Sequence, residues 1–166
     1  MHRWLAAVEG VIVVAIIAIS AGANGEPSLR EAPPLPRAVL QPPGVTLASL
    51  RGRPAIVVFW ASTCAPCIGE APQIAALAEH LQGRATLVGV DSKDHRPAAA
   101  AFLHRFRWRS PVLTDGEGSV AKRYGIPRLP ATVILDSDGR ILVRLQGPQT
   151  EASLNRALVA RHRRRG

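Results

Sequence analysis

The only two cysteines of the chain, Cys64 and Cys67, follow closely on the apolar run Ala55-Ile-Val-Val-Phe-Trp60. That order constrains the fold more than any other feature. A short β-prone run without polar alternation reads as a strand covered on both faces. The residues after it, from Cys64 to Leu81, set Ile68, Ala71, Ile74, Ala75, Leu77, Ala78 and Leu81 on one side of a helix. Pro66 suits the first turn of that helix, and Pro72 is expected to kink it. The cysteines therefore sit where a buried strand turns into a helix.

A bridge closing so short a loop removes little entropy from the unfolded chain, so a purely structural disulfide explains the pair poorly. With 166 residues, 47% of them hydrophobic, the chain can build a core without staples. A reactive role fits better. Unpaired N–H groups and the positive end of the helix dipole stabilise a thiolate at a helix start. In the first turn Cys64 is expected to face solvent and attack. Cys67, one turn on, points inward and resolves the mixed disulfide. A tetrahedral zinc site needs two histidines beside such a pair, and His80, His95, His104 and His162 are scattered. No metal and no cofactor are expected.

Further along, the pattern predicts a strand over Ala85–Val90, a helix over Pro97–Phe106, an extended piece over Pro111–Leu113 and a short helix over Ser119–Tyr124. Ala131–Leu135 and Arg140–Gln146 read as a hairpin across Ser137-Asp138-Gly139. Thr150 is placed to cap a last helix, with Glu151 in its first turn and arginines at its end. Crossover connections followed by a hairpin make an α/β fold with a mixed central sheet and helices on both faces.

The N-terminus sets the compartment. Met1-His-Arg-Trp is a basic start, Val11–Ile19 is unbroken apolar sequence, and Ala21 and Ala23 form a small-residue A-x-A arrangement. Trp4 to Ala23 is also long enough to span a bilayer, which favours a retained anchor over a cleaved signal. Glu9 lies within that window at a cost of about 3 kcal/mol if it sat at the bilayer centre, less near the headgroups. Either way the remainder is exported. The expected organisation is a signal anchor or signal peptide over 1–23, a proline-rich linker over 24–44, a folded domain over 45–161 and a basic tail over 162–166.

The formal net charge of +9 favours solubility and weak association with anionic surfaces. His104-Arg-Phe-Arg-Trp-Arg109 alternates base and aromatic, a pattern seen in single-strand nucleic-acid binders. Export argues against a nucleic-acid partner, so Phe106 and Trp108 are expected to pack inward while the arginines face water.

The segment Val57-Val-Phe-Trp-Ala-Ser-Thr-Cys-Ala-Pro-Cys-Ile-Gly-Glu-Ala-Pro72 resembles the active-site stretch of thioredoxin-like proteins. It is most similar to the membrane-tethered TlpA/ResA/CcmG branch of extracytoplasmic thiol–disulfide oxidoreductases. Leu47-Ala-Ser-Leu-Arg-Gly52 resembles the lead-in of that branch, and Tyr124-Gly-Ile-Pro-Arg-Leu-Pro-Ala-Thr-Val-Ile-Leu-Asp-Ser-Asp-Gly139 its second signature. Two motifs at the expected separation are more specific than either alone. The resemblance implies a thioredoxin-like fold and electron exchange with protein cysteines. It further implies a membrane electron donor or acceptor that nothing in the sequence names, a monomer, and cytochrome c maturation as the usual task.

It also assigns residues. Pro130 falls on the family's cis-proline, beside the cysteine pair, where backbone is offered to substrate; Pro127 is the alternative, but the run straight into Ala131-Thr-Val favours Pro130. Glu70 matches an acidic residue able to relay protons, and it equally suits an exposed helix position. Trp60 matches a tryptophan under the active site and equally suits plain core packing. Two departures stand out: Thr63 replaces the usual tryptophan before the first cysteine, and Val58 stands where thioredoxin has a buried aspartate.

Two other functions compete. A redox-silent binding or metal-delivery module on the same fold normally uses C-x-x-x-C with a distant histidine, unlike this chain. A peroxide reductase wants arginine and threonine around its cysteine, and Thr63 alone is thin support.

Overall fold

All six side chains of the strand Ala55–Trp60 are buried, as a strand covered on both faces requires. It lies in the middle of a six-stranded sheet in a computed structural model that describes residues 29–162. In chain order the strands are β1 (Ala38–Gln41), β2 (Ala55–Trp60), β3 (Thr86–Ser92), β4 (Val112–Asp115), β5 (Ala131–Leu135) and β6 (Ile141–Gln146). Their spatial order is β1-β4-β3-β2-β5-β6. β2, β3 and β4 run parallel, while β1, β5 and β6 each pair antiparallel with their neighbours.

Four helices cover the sheet: α1 (Ala65–His80), α2 (Arg96–Arg105), α3 (Ser119–Arg123) and α4 (Glu151–His162). Ile74 and Leu77 of α1, Phe102 of α2 and Leu154 of α4 pack on one face with Ile56, Val58 and Trp60. On the other face Val57 and Phe59 meet Val120 and Ala121 of α3, together with Tyr124, Leu50 and Leu35. Burying a side chain such as Ile, Val or Phe on either face contributes about 2 kcal/mol relative to exposure. α1 continues through Pro72 to His80.

The hairpin between β5 and β6 turns on Gly139, whose φ of 81° only glycine adopts without strain. Asp136 locks the turn by accepting from the Asp138 and Arg140 N–H groups. At α4, Thr150 and Ser153 cap reciprocally, each hydroxyl accepting the other's backbone N–H. Trp108 is buried and Phe106 half-buried, with Arg105, Arg107 and Arg109 exposed.

The linker expectation needs correction at its C-terminal end. Within the stretch assigned to a spacer, residues 38–41 form β1, and Ala32 and Leu35 are buried in the core. The Tyr124 hydroxyl donates to the Pro33 carbonyl at 2.7 Å, and Gln41 Nε2 donates to the carbonyls of Trp108 and Ser110. Proline lacks an N–H and is confined to sheet edges. β1 is an edge strand whose four residues contain no proline, with Pro36 and Pro42 just outside it. The domain thus begins before Val45. The segment 1–23 and the tail from 163 onward lie outside the described residues, as does the start of the linker. No helix among the described residues is long and apolar enough to cross a membrane.

Candidate active site

Cys64 is the N-cap of α1, with extended backbone (φ −82°, ψ 104°), and its Sγ accepts from the Cys67 N–H at 3.3 Å. Pro66 occupies the first turn, where a missing N–H costs nothing. Cys64 and Cys67 form a disulfide with Cα atoms 5.2 Å apart. Cys64 is partly exposed while Cys67 is 2% exposed, so only one of the two sulfurs is open to a partner. Thr63 is exposed beside Cys64, and Val58 is buried among the apolar side chains beneath α1.

The Leu129–Pro130 peptide bond is cis. Pro130 and Pro66 line one shallow cleft together with Leu129, Gly147 and Pro148. The Pro130 carbonyl accepts from the Gly147 N–H at 3.0 Å.

Glu70, one turn beyond Cys67, is only 3% exposed. One carboxyl oxygen accepts from the Gln149 N–H at 2.9 Å, just ahead of α4. Burial pushes its pKa up to about 7, against which that single hydrogen bond works in the opposite direction. A carboxyl so poised exchanges protons near neutral pH.

Beneath the cysteines lies an aromatic layer. Trp60 stacks on Phe102 with centroids 4.3 Å apart and tilts against Trp108 at 5.8 Å. Gly89 makes room for it: a Cβ there would meet Trp60 Nε1 and Val112 Cγ2 at 3.0 Å. Trp60 is fully packed, the role of a core residue that also supports the loop above.

Sequence reasoning missed a second acidic group. Asp91, at the C-terminal end of β3, lies in register with Trp60 and is wholly buried. No N–H or O–H among the described residues donates to it. Within its reach is the carboxyl of Asp94, and two carboxyls can hydrogen-bond only when one carries a proton. Burial, then the charge and hydrogen bond of Asp94, then the charge of Asp115, raise the Asp91 pKa to about 7. Asp94 is the ionised member. Burial opposes its charge, but the Ser62 N–H at 2.5 Å, the Ser62 hydroxyl at 2.9 Å, the His95 N–H at 2.7 Å and Asp91 outweigh that and hold its pKa low. Ser62 lies two residues before Cys64, so this acid pair anchors the cysteine loop from below. The signal in the sequence was an aspartate ending an apolar run, at the strand end where α/β sites form. Among the described residues no cluster of His, Cys, Asp or Glu is arranged to hold a metal ion.

The redoxin family model matches residues 23–158 of this chain. The chain belongs to the redoxin family. It is similar to the thiol:disulfide interchange protein DsbE homolog of Paracoccus denitrificans, 37% identical, covering 83% of this chain and 84% of that one. The thiol-disulfide oxidoreductase ResA of Bacillus subtilis is 25% identical over 88% of this chain and 87% of its own. Among solved structures, a secreted Mycobacterium tuberculosis disulfide oxidoreductase homologous to E. coli DsbE superposes with a TM-score of 0.65 at 26% identity. It covers 76% of this chain and 95% of that one. This redoxin is a thioredoxin-like thiol–disulfide oxidoreductase of the ResA/CcmG kind, acting on protein thiols.

Proposed function

We propose that this redoxin works outside the cytoplasm as a dedicated reductant of protein disulfides, with Cys64 as nucleophile and Cys67 as resolving thiol. The observation that carries the two cysteine roles is the asymmetry of the pair, Cys64 partly exposed at a helix N-terminus and Cys67 buried. In the reduced enzyme the Cys64 thiolate attacks a substrate disulfide, forming a mixed disulfide and releasing one substrate sulfur as thiolate. Cys67, deprotonated, then attacks Cys64 Sγ. The enzyme disulfide forms, the second substrate sulfur leaves as thiolate, two electrons have passed to the substrate, and its thiolates take up protons from solvent. Glu70 is the group placed to take the Cys67 proton, because it is buried one turn away and titrates near neutrality.

Pro130 offers its cis turn as the docking edge. Its own carbonyl is engaged by Gly147, so the pairing backbone is the stretch just ahead of it, Arg128–Leu129. Regeneration needs a membrane dithiol donor, since the compartment is oxidising. The N-terminal apolar segment tethers the enzyme beside that donor, and cytochrome c maturation is the task this arrangement suits.

Equilibration of the exported domain with glutathione buffers tests the direction of flow. A midpoint near or below about −270 mV is expected, and one near about −120 mV would make the protein an oxidant. Cys64→Ser is expected to abolish exchange; full activity in that variant overturns the mechanism.

A further inference from the structure

A groove opens at the cysteine end of the sheet, on the opposite face from α1. Ser92 and Lys93 at the end of β3, Lys122 of α3 and the loop Gly125–Leu129 line it. Its floor is apolar, formed by Ala121, Ile126 and Leu129, and Lys93, Lys122 and Arg128 stand exposed at its walls. Against these three cations the lining holds one carboxylate, Glu117. None of the three cations is in an ion pair with a described residue. Arg128 and Leu129 line both this groove and the cleft beside Pro66 and Pro130, so the two are neighbours.

We propose that this groove docks the part of the substrate protein that flanks its target cysteine, and that this part is an extended segment bearing acidic side chains on apolar neighbours. The inference rests on the thiol–disulfide reading and adds the substrate class. A substrate chain laid along Arg128–Leu129 enters the groove within a few residues of the sulfur under attack. The apolar floor then accepts alternate side chains of an extended segment, and the unpaired cations meet the carboxylates of the others. An acidic segment gains attraction and faster encounter there, whereas a basic one meets like charge. The exposed Thr63 fits this division of labour. With no large side chain beside Cys64 to hold substrate, selection is left to the cis-proline side.

The test uses the full exported domain and synthetic peptide disulfides whose flanking residues are aspartate, glutamine or lysine. At low ionic strength the wild type is expected to reduce the acidic peptide with a kcat/KM about tenfold above that of the basic one, and salt should erase the difference. Lys93→Glu combined with Lys122→Glu should reverse the order. Equal rates for all three peptides in the wild type would overturn the proposal without any variant, as would an acidic preference that survives the double reversal. Absence of any exchange that depends on Cys64 would instead strike the thiol–disulfide reading beneath it, so the two failures are distinguishable.

Discussion

Glu70 and Asp91 are both buried carboxyls with pKa values raised to about 7, yet their surroundings differ in kind. Glu70 sits on the helix that starts at the cysteines and receives one backbone N–H, from Gln149. It can hold its proton or release it, because an N–H remains to receive the charge. Asp91 sits on the neighbouring strand, receives no donor from the described residues, and faces another carboxyl whose pKa is held low. Releasing its proton would place two negative charges against each other in a buried site. Similar pKa values thus arise from a desolvated carboxyl with one N–H partner in one place and from a desolvated carboxyl facing a second charge in the other. The cause of a shift, more than its size, says what a buried acid does.

That contrast can be broken by substitution. The largest effect is expected from Glu70→Gln, which keeps an acceptor for Gln149 but removes the proton carrier. Disulfide exchange should slow by about a hundredfold, and the rate–pH profile should lose its inflection near neutrality. Asp91→Asn should leave that inflection in place, since the introduced amide can still donate to Asp94. An exchange profile that changes as much for Asp91→Asn as for Glu70→Gln would erase the distinction.

Stability should show the two acids behaving alike. Each binds its proton more tightly folded than unfolded, so the native state holds more protons at any pH between the ordinary carboxyl value and about 7. The stabilising proton is fully present below that window. Stability then falls as pH rises through it, by about 3 kcal/mol for Glu70 and about 4 kcal/mol for Asp91. Denaturant unfolding of the oxidised protein at a series of pH values should trace this decline, and either Glu70→Gln or Asp91→Asn should flatten it by about half. A wild-type stability that rises across the same window would contradict both assignments.

Smaller still is the effect expected at the anchor of the acid pair itself. Ser62→Ala removes one hydroxyl donor from Asp94 and keeps the backbone one. It should cost about 1 kcal/mol in unfolding experiments. Asp94→Asn should cost somewhat more, about 2 kcal/mol, because three charge-assisted contacts weaken together. It should also lower the Asp91 pKa, visible as a shift of its carboxyl titration by NMR, since the facing charge is gone.

Much of this was legible in the chain itself. The strand before the cysteines, the helix after them, the hairpin at Asp138-Gly139 and the cap at Thr150 are local patterns, and the observed elements lie within a few residues of the expected ones. β1 was not legible. Its four residues lie among prolines and are too few for a periodic signal, and only the free edge of β4 makes them a strand. Glu70 was legible as a position on α1, but both of its readings stayed open. Its burial depends on Gln149, a partner 79 residues away.

By itself the sequence determined the spacing of Cys64 and Cys67, their place at a helix start, and the proline at 130, because these are properties of neighbouring residues. The tertiary structure alone decided between the two readings of Glu70, which is buried. It also decided that Asp91 faces Asp94, and that three cations with no ion-pair partner among the described residues border the neighbouring groove. Those outcomes depend on desolvation and on charges brought together from distant segments. No local pattern encodes the water that folding removes.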